Sequence, residues 1–229
     1  FGMLRRGQRL VTVSHASQRE IAERFGVDPT AIEVVYEGAD SLPLIPRQTP
    51  PGERRTRVVA FGRHGAAKNT RAVIDALALL PASSDVDVEF VGNLDPELEP
   101  HAASRGVAPA RIRWTGPVSD DELAAAFARA DAFVWPSLHE GFGLPPLEAQ
   151  RLGAPVLASD IPINREILGD SARYFAPTQP EELASLLSEI SDSPALRETL
   201  SEASLANAER FTWDATTTAW NRIIDREAR

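Results

Sequence analysis

The sequence predicts an α/β fold, namely a doubly wound parallel sheet with helices on both faces. From residue 57 onward, short apolar runs rich in β-branched residues alternate with longer segments of helical periodicity. Gly, Pro, Ser and Asp separate the two kinds of segment, as expected of turns between strands and helices. The length of 229 residues is ample for a buried core and accommodates one large domain or two small ones.

Residues 1–40 precede this alternation and do not fit it. They contain a short strand at 9–14, a helix that ends at Gly26 and a second strand at 32–36. Ser17 is the predicted N-cap of the helix, and a glutamate three residues later completes a capping box. We therefore treat residues 1–40 as a separate segment.

Residues 41–56 are rich in proline and charge and have no period, which predicts a linker. The regular domain then spans residues 57–229. Its predicted strands are 58–61, 86–91, 112–115, 132–135, 156–159 and 172–176. Its predicted helices are 69–80, 96–105, 120–130, 144–152, 162–168, 180–190, 194–210 and a last helix from 212. Ser119 caps one of these helices, with Glu122 at the capping-box position.

Composition restricts the partners and compartments to consider. The chain is 43% hydrophobic and 25% charged, which is ordinary for a globular protein. Its net charge of −9 argues against nucleic acid as a partner, because phosphate backbones attract basic surfaces. The absence of cysteine fits a reducing compartment, so we expect a cytoplasmic protein. Peripheral attachment at the inner membrane face stays open for a full-length protein, since a chain beginning with Phe1 is expected to be a fragment.

The stretch W-P-S-L-H-E-G-F-G-L-P-P-L-E, residues 135–148, predicts an anion site. A strand leads into a loop, and a helix follows from Leu144, with two prolines tolerated in its first turn. Free N–H groups and the helix dipole favour an anion there, and Gly141 and Gly143 allow a close approach of the backbone. Glu140 and Glu148 lie in the same stretch, and carboxylates accept hydrogen bonds from neighbouring hydroxyl groups. A ligand with both phosphates and hydroxyls, such as a sugar nucleotide, fits this mixture.

A second loop, F-G-R-H-G-A-A-K-N at residues 61–69, follows the first strand of the domain. Ligands bind at the carboxyl ends of strands in open α/β sheets, and Arg63 and Lys68 are suited to phosphate oxygens. Lys68 is the only lysine of the chain. The loop lacks the G-x-G-x-x-G fingerprint, which weakens a dinucleotide-dependent dehydrogenase as an alternative.

Asp85 and Asp87 form a D-x-D pair, a pattern that can hold a metal. Here the pair opens a strand in which Asp87 and Glu89 alternate with apolar residues. We interpret these acidic residues as one polar face or edge of the strand, and we expect neither a metal site nor another cofactor.

E-G-F-G-L-P-P-L-E, an E-x7-E motif, resembles the donor-binding loop of retaining GT-B glycosyltransferases of family 4. V-T-V-S-H near the start and the loop at 61–69 extend the resemblance over most of the chain. GT-B enzymes have two Rossmann-like domains that face each other across a cleft. The resemblance therefore implies that residues 57–229 are a Rossmann-like C-terminal domain that binds a nucleoside diphosphate sugar. Residues 1–40 would be the tail of the N-terminal acceptor domain, the rest of which would be a partner.

The resemblance also implies site residues for hexosyl transfer with retention. Arg63 and Lys68 would stabilise the leaving diphosphate, and Glu140 would contact the hexose, which makes these three the catalytic candidates. The substrate-binding candidates are Gly141, Phe142, Gly143, Leu144, Glu148, Val118 and Asn93. The N–H groups of Gly143 and Leu144 would face the diphosphate, Glu148 would take the ribose diol, and Val118 and Asn93 would lie near the base. Each has an alternative as an ordinary turn, loop or surface residue.

The run I-P-I-N-R-E-I-L-G-D, from residue 161, resembles a segment of bacterial mannosyltransferases and favours GDP-mannose over UDP- and ADP-sugars. Glu166 within it is equally well explained as a surface charge, and we leave it out of the site. The acceptor would be a glycan, a lipid or a small molecule bound mainly by the missing domain. The fragment is therefore expected to bind donor but to transfer sugar poorly.

Trp213 and Trp220 of the last helix are predicted core residues, with an exposed patch as the alternative. The functional alternatives are another GT-B enzyme, such as a nucleotide-sugar epimerase or a phosphorylase, and a non-catalytic Rossmann-like nucleotide-binding module. The module alternative also covers a domain used in assembly, which failure to bind any nucleotide would favour.

Overall fold

The computed structural model describes residues 10–48, 55–62 and 65–228. The strands in chain order are β1 (Leu10–Thr12), β2 (Ile32–Val34), β3 (Thr56–Phe61), β4 (Val86–Val91), β5 (Ile112–Gly116), β6 (Ala132–Trp135), β7 (Val156–Ser159) and β8 (Ala172–Phe175). The last six form one parallel sheet in the spatial order β5-β4-β3-β6-β7-β8. The strand order reverses between β3 and β6, so the predicted doubly wound fold class is confirmed.

The helices are α1 (His15–Phe25), α2 (Arg71–Leu79), α3 (Leu98–Ser104), α4 (Asp120–Arg129), α5 (Leu144–Arg151), α6 (Pro162–Leu168), α7 (Pro180–Asp192), α8 (Pro194–Ala208) and α9 (Trp213–Glu227). The predicted capping box of α4 is present, with the Ser119 side chain accepting from the Glu122 N–H and the Glu122 side chain accepting from the Ser119 N–H. The prediction for α2 began two residues too early, because Asn69 adopts a left-handed conformation with φ of 51°.

Both faces of the main sheet are buried, as parallel sheets require. Along β3, Val58 and Ala60 belong to one apolar cluster and Val59 to the other, which follows the two-residue period of a strand. Helices α2, α3 and α7 contribute to the first cluster, and α4, α5 and α6 to the second. The helices therefore form one layer on each side of the sheet.

Residues 10–40 lie outside this sheet, as predicted. Strands β1 and β2 pair in parallel with each other in a separate two-stranded sheet. The predicted cap of α1 is wrong: the N-cap is Ser14, whose side chain accepts a hydrogen bond from the Ser17 N–H. Two serines in S-H-A-S fit the capping pattern equally well, and a contact with Gly141, far along the chain, occupies the Ser17 hydroxyl instead.

Within the predicted linker, residues 41–48 have no regular structure but pack on the main domain. The side chain of Leu42 is buried, and Ile45 packs against the same cluster as α4 and α5. The Gln48 N–H donates to the Ala128 carbonyl at 2.9 Å. The division into residues 1–40, 41–56 and 57–229 stays a prediction.

Helix α9 packs against the N-terminal segment. The Trp213 N–H donates to Asp40 at 2.8 Å, and the Thr216 hydroxyl donates to the Tyr36 carbonyl at 2.8 Å. Trp213 and Trp220 are 41% and 43% exposed, so the prediction that they are core residues is wrong. The helix buries the face that carries Thr216 and Ile223, and the tryptophans flank that face.

Strand β4 lies between β3 and β5, so its acidic residues do not lie along an edge of the sheet. Glu89 is 5% exposed and accepts two hydrogen bonds from Arg129 at 2.9 and 3.1 Å, so it is not part of a solvated face. Asp87 accepts from Arg55 at 2.7 Å, and Asp85 from the same guanidinium at 3.2 Å. In the part of the chain that the structure describes, no helix is long and apolar enough to cross a membrane.

Candidate functional site

The candidate site lies at the carboxyl edge of the sheet, where β3 and β6 meet and the strand order reverses. The loop after β3 and the loop after β6 run side by side there. The Leu138 N–H donates to the Ala67 carbonyl at 2.8 Å, and the Asn69 side chain donates to the Pro136 carbonyl at 3.1 Å. The crevice outside such a switch point is where open α/β sheets bind ligands.

Lys68 and Glu140 meet in this crevice. The Lys68 ammonium lies 2.6 Å from a Glu140 carboxylate oxygen, and the two side chains are 28% and 11% exposed. The same ammonium lies 5.3 Å from the ring centroid of Trp135, a favourable distance for a cation–π contact. The structure thus brings together two of the three predicted catalytic residues, which are 72 positions apart in sequence.

Helix α5 begins beside this pair with no side-chain cap. Its N-cap residue Gly143 has a φ of 99°, in the left-handed region that favours glycine. The second and third helical residues, Pro145 and Pro146, have no N–H, so Gly143 and Leu144 carry the donors at this helix end that the helix itself does not use. A Cβ at Gly143 would be 3.4 Å from Ile167, so the backbone here is closely packed.

Two polar atoms near this helix end are buried without a hydrogen-bond partner in the described structure. They are the Trp135 indole nitrogen and the Ser137 hydroxyl. The indole nitrogen lies 3.7 Å from where a Cβ of Gly143 would be. Because buried polar groups are normally paired, the carboxyl end of β6 has hydrogen-bonding capacity to spare.

Glu148 lies one turn into α5 and is half-buried. Residues four positions apart share a helix face, so Glu148 lies on the same side of α5 as Leu144. The E-x7-E motif therefore spans the loop and the first two turns of the helix that follows it, with a carboxylate near each end of the exposed backbone.

Gly141 and Phe142 pack against the N-terminal segment. The Phe142 ring is 3% exposed and lies 5.9 Å, between centroids, from both Tyr36 and Phe211. Its side chain therefore belongs to the core, and a ligand contact from this residue would come from its backbone. The Gly141 carbonyl accepts hydrogen bonds from Ser14 and from Ser17.

The remaining candidates lie at the same edge or outside the described residues. Asn93 is exposed in the turn after β4, and Val118 is half-buried in the turn after β5. Gly92 and Gly116, with φ of 90° and 70°, shape these turns. Arg63 and the neighbouring His64 lie outside the described residues, so the third predicted catalytic residue has no described position.

The D-x-D pair, Asp85 and Asp87, forms ion pairs with Arg55. Among the described residues, no group of three or more His, Asp or Glu side chains is arranged to hold a metal ion.

Glu166, which we left out of the site, contacts the start of α1. Its carboxylate accepts hydrogen bonds from the His15 and Ala16 N–H groups at 2.6 and 2.7 Å. The sequence carries no local signal for that pairing.

A cleft of about 320 Å³ lies between α1 and the loop after β6. Arg19, Glu20 and Glu23 line it from α1, and His139 and Glu140 line it from the loop. His139 lies 2.9 Å from the Glu20 carboxylate. Leu138, Ile161 and Ile163 give the cleft an apolar wall beside these charged groups, and Glu140 connects it to the crevice at the switch point.

The comparisons with known proteins agree with this geometry. The sequence profile of the family described as "Glycosyl transferases group 1" matches residues 43–206. An MMP α-(1→4)-mannosyltransferase of Mycolicibacterium hassiacum is 33% identical over 213 residues, which cover 90% of this chain and 51% of that protein. The O-antigen chain mannosyltransferase B of Escherichia coli is 27% identical over 221 residues, which cover 91% of this chain and 58% of that protein.

A crystal structure of the Anabaena protein HepE in complex with UDP has the same fold. The TM-score is 0.76 at 21% identity, over 96% of this chain and 63% of that one. The chain spans about half the length of the curated relatives above. Its six-stranded parallel sheet matches the C-terminal domain of GT-B glycosyltransferases. Because the family profile covers well over half of the residues, the chain belongs to the family of glycosyl transferases group 1.

Proposed function

We propose that this chain is the donor-binding half of a retaining hexosyltransferase. The donor would be a nucleoside diphosphate sugar, and the hexosyl group would pass to an acceptor hydroxyl. The observation that carries the proposal is the contact of Lys68 with Glu140 at 2.6 Å, beside the uncapped start of α5. A cation, a carboxylate and free N–H groups converge there, and a donor presents phosphates and hydroxyls next to each other.

The diphosphate is the leaving group, so negative charge grows on its oxygens during transfer. Preorganised donors that face those oxygens stabilise the transition state more than the ground state. The Lys68 ammonium and the N–H groups of Gly143 and Leu144 are our candidates for this role, together with Arg63. Because Glu140 and Trp135 already hold the Lys68 side chain, it loses little further conformational entropy when it binds phosphate.

The two glutamates would accept hydrogen bonds from the hydroxyl groups of the donor. Glu140, next to the cleft that faces α1, would accept hydrogen bonds from hexose hydroxyls near the anomeric carbon. Glu148, one turn into α5, would accept from the ribose diol. In the donor complex the Lys68 ammonium would then contact both Glu140 and a phosphate oxygen. We assign no nucleophilic role to Glu140.

GDP-mannose is our first choice of donor. Two relatives are named mannosyltransferases, whereas the Anabaena structure contains UDP. Because the chain spans about half of its relatives, we propose that the other half supplies most of the acceptor site. The acceptor would be a glycan, a lipid or a small molecule, and the 229-residue chain alone would transfer sugar poorly.

Calorimetric titration of the chain with GDP, UDP and ADP tests the proposal. One nucleotide should bind best, and Lys68→Ala should weaken it by about 1.5–3 kcal/mol, the value of a charge-assisted hydrogen bond. Glu148→Ala should weaken the same nucleotide, through the ribose. Arg173→Ala and Glu189→Ala are matched controls, because they form an exposed ion pair at the far edge of the sheet. The proposal fails if no nucleotide binds, or if the controls weaken binding as much as Lys68→Ala.

A further inference from the structure

The N-terminus of α1 contacts the loop that carries Glu140. Ser14 and Ser17 both donate to the Gly141 carbonyl, at 2.8 and 3.0 Å. Ser14 is fully buried, and its hydroxyl oxygen also caps α1 by accepting from the Ser17 N–H. The residue directly after Glu140 is thus held by two hydroxyl groups from a segment outside the main sheet.

Glu166 fixes the same helix end from the opposite side. From α6, its carboxylate accepts from the His15 and Ala16 N–H groups and, at 3.0 Å, from the Tyr36 hydroxyl. Its side chain is 12% exposed, and Arg19 lies 3.9 Å away. A carboxylate at a helix N-terminus also interacts favourably with the helix dipole. The start of α1 is therefore bonded both to the loop after β6 and to α6.

This arrangement restricts a loop that would otherwise be free to turn. Gly141 and Gly143 flank Phe142, and glycine populates many backbone conformations. Because a peptide group is planar, fixing the Gly141 carbonyl toward α1 directs the Phe142 N–H away from α1. It also fixes the backbone immediately after Glu140, and so the direction from which the Glu140 side chain enters the crevice.

We propose that Ser14, Ser17 and Glu166 are positioning residues of the donor site, which orient the Glu140 carboxylate toward the transferred hexose. This inference rests on the proposed function. If it is right, the N-terminal segment helps to position Glu140 in the donor site, in addition to any role in an acceptor domain. The nucleoside diphosphate itself, bound by Lys68 and the start of α5, does not depend on these contacts.

The test separates the hexose from the nucleotide. The chain is titrated with GDP and with GDP-mannose, or with the corresponding pair for whichever nucleotide binds best, and the ratio of the two affinities is compared between variants. Ser17→Ala removes a hydroxyl bond to Gly141 but leaves the Ser14 cap and favours the helix. Glu166→Gln keeps the shape of the side chain but weakens the bonds to α1.

In each variant we expect GDP affinity to change less than about twofold and the hexose-dependent ratio to fall by about three- to tenfold, as for a lost hydrogen bond. In the double variant the ratio should approach that of Glu140→Ala. Ser193→Ala is the matched control, because Ser193 caps α8 by accepting from Leu196 and contributes nothing to the site. It should leave the ratio unchanged.

The possible outcomes are distinct. If the wild-type chain binds no nucleotide, the proposed function fails and this inference with it. If the wild-type ratio is near one, or if the variants keep the wild-type ratio, the inference alone is overturned. Thermal melts of each variant identify loss of folding, and Ser17→Ala, at a partly exposed position, decides the question if Glu166→Gln melts early.

Discussion

Gly38 lies directly against the start of α9. A Cβ added there would be 2.7 Å from the Cα of Trp213 and 2.7 Å from the carbonyl carbon of Thr212, both backbone atoms that cannot turn aside. The segment around Gly38 also carries Tyr36 and Asp40, which hydrogen-bond to α9. The smallest residue is therefore required where the N-terminal segment crosses the last helix.

Gly38→Ala should consequently lower the free energy of unfolding by about 1–3 kcal/mol or more, the usual cost of overpacking. Gly26→Ala is the control. A Cβ at Gly26 meets open space, so the substitution destabilises the chain only through the strain of its φ of 63°. Denaturant titration measures both. A Gly38→Ala chain as stable as the wild type would show that α9 does not press on this residue.

Tyr36 is coupled to Glu166, and its titration reports on that contact. Burial, followed by the hydrogen bond to Glu166, raises the pKa of Tyr36 to about 12. Burial raises the pKa of Tyr174, the only other tyrosine, to about 12 as well. The folded chain favours the protonated phenols, so their contribution to stability is complete below pH ~10 and is lost as the pH rises toward 12.

An ultraviolet titration of the folded chain should therefore show little tyrosinate until the pH approaches 12. In a Tyr174→Phe background, Glu166→Gln should lower the pKa of Tyr36, because the negative partner is removed. Circular dichroism at each pH verifies that the chain is still folded. Titration of both phenols at the ordinary value of about 10 in the folded wild type would contradict the described contacts.

Among the elements, β4 and α4 are joined by a buried ion pair. Glu89 on β4 and Arg129 at the end of α4 have side chains that are 6% and 24% exposed and 2.9 Å apart. Arg129→Met should cost about 3–5 kcal/mol, since it leaves an uncompensated buried carboxylate. The double variant Glu89→Leu/Arg129→Met should recover most of that loss, as measured by chemical denaturation. A double variant as unstable as the single one would mean that packing, rather than charge, explains the cost.

Local patterns predicted the elements better than the contacts between them. The alternation of apolar runs with helical segments predicted all six strands of the main sheet, and the predicted Ser119 capping box is present. For α1 the sequence offered two serines, and the choice of Ser14 over Ser17 depends on Gly141, more than a hundred residues away. The burial of Glu89 and the exposure of Trp220 likewise depend on neighbours that no local window contains.

The same limit applies to the candidate site. The E-x7-E motif predicted Glu140, and the loop at 61–69 predicted Lys68. The predicted sheet placed both at one edge, but the sequence did not predict that β3 and β6 are neighbours, which allows the 2.6 Å contact. Glu166 was missed because its partners are backbone N–H groups of α1, and backbone groups have no signature in a sequence. The burial of the Phe142 ring against Tyr36 likewise depends on a distant segment, and the predicted ligand contact of this residue stays a prediction for its backbone.

For the whole molecule, three distant segments meet around one aromatic cluster. Tyr36 from the N-terminal segment, Phe142 from the loop after β6 and Phe211 before α9 have ring centroids 5.7–5.9 Å apart. The N-terminal segment, the loop after β6 and the last helix are therefore packed as one unit, on the side of the sheet covered by α4, α5 and α6. A donor bound at the switch point would be next to this unit.

The most direct test of the donor-site assignment is a map of backbone amide shifts, by nuclear magnetic resonance, as the best-binding nucleotide is added. We expect the largest changes at Gly143 and Leu144, with further changes at Lys68 and in the turns that carry Asn93 and Val118. Amide groups at the amino ends of the strands, on the opposite edge of the sheet, should not shift. If the chain is saturated with nucleotide while Gly143 and Leu144 do not change, the donor binds elsewhere and the central claim is wrong.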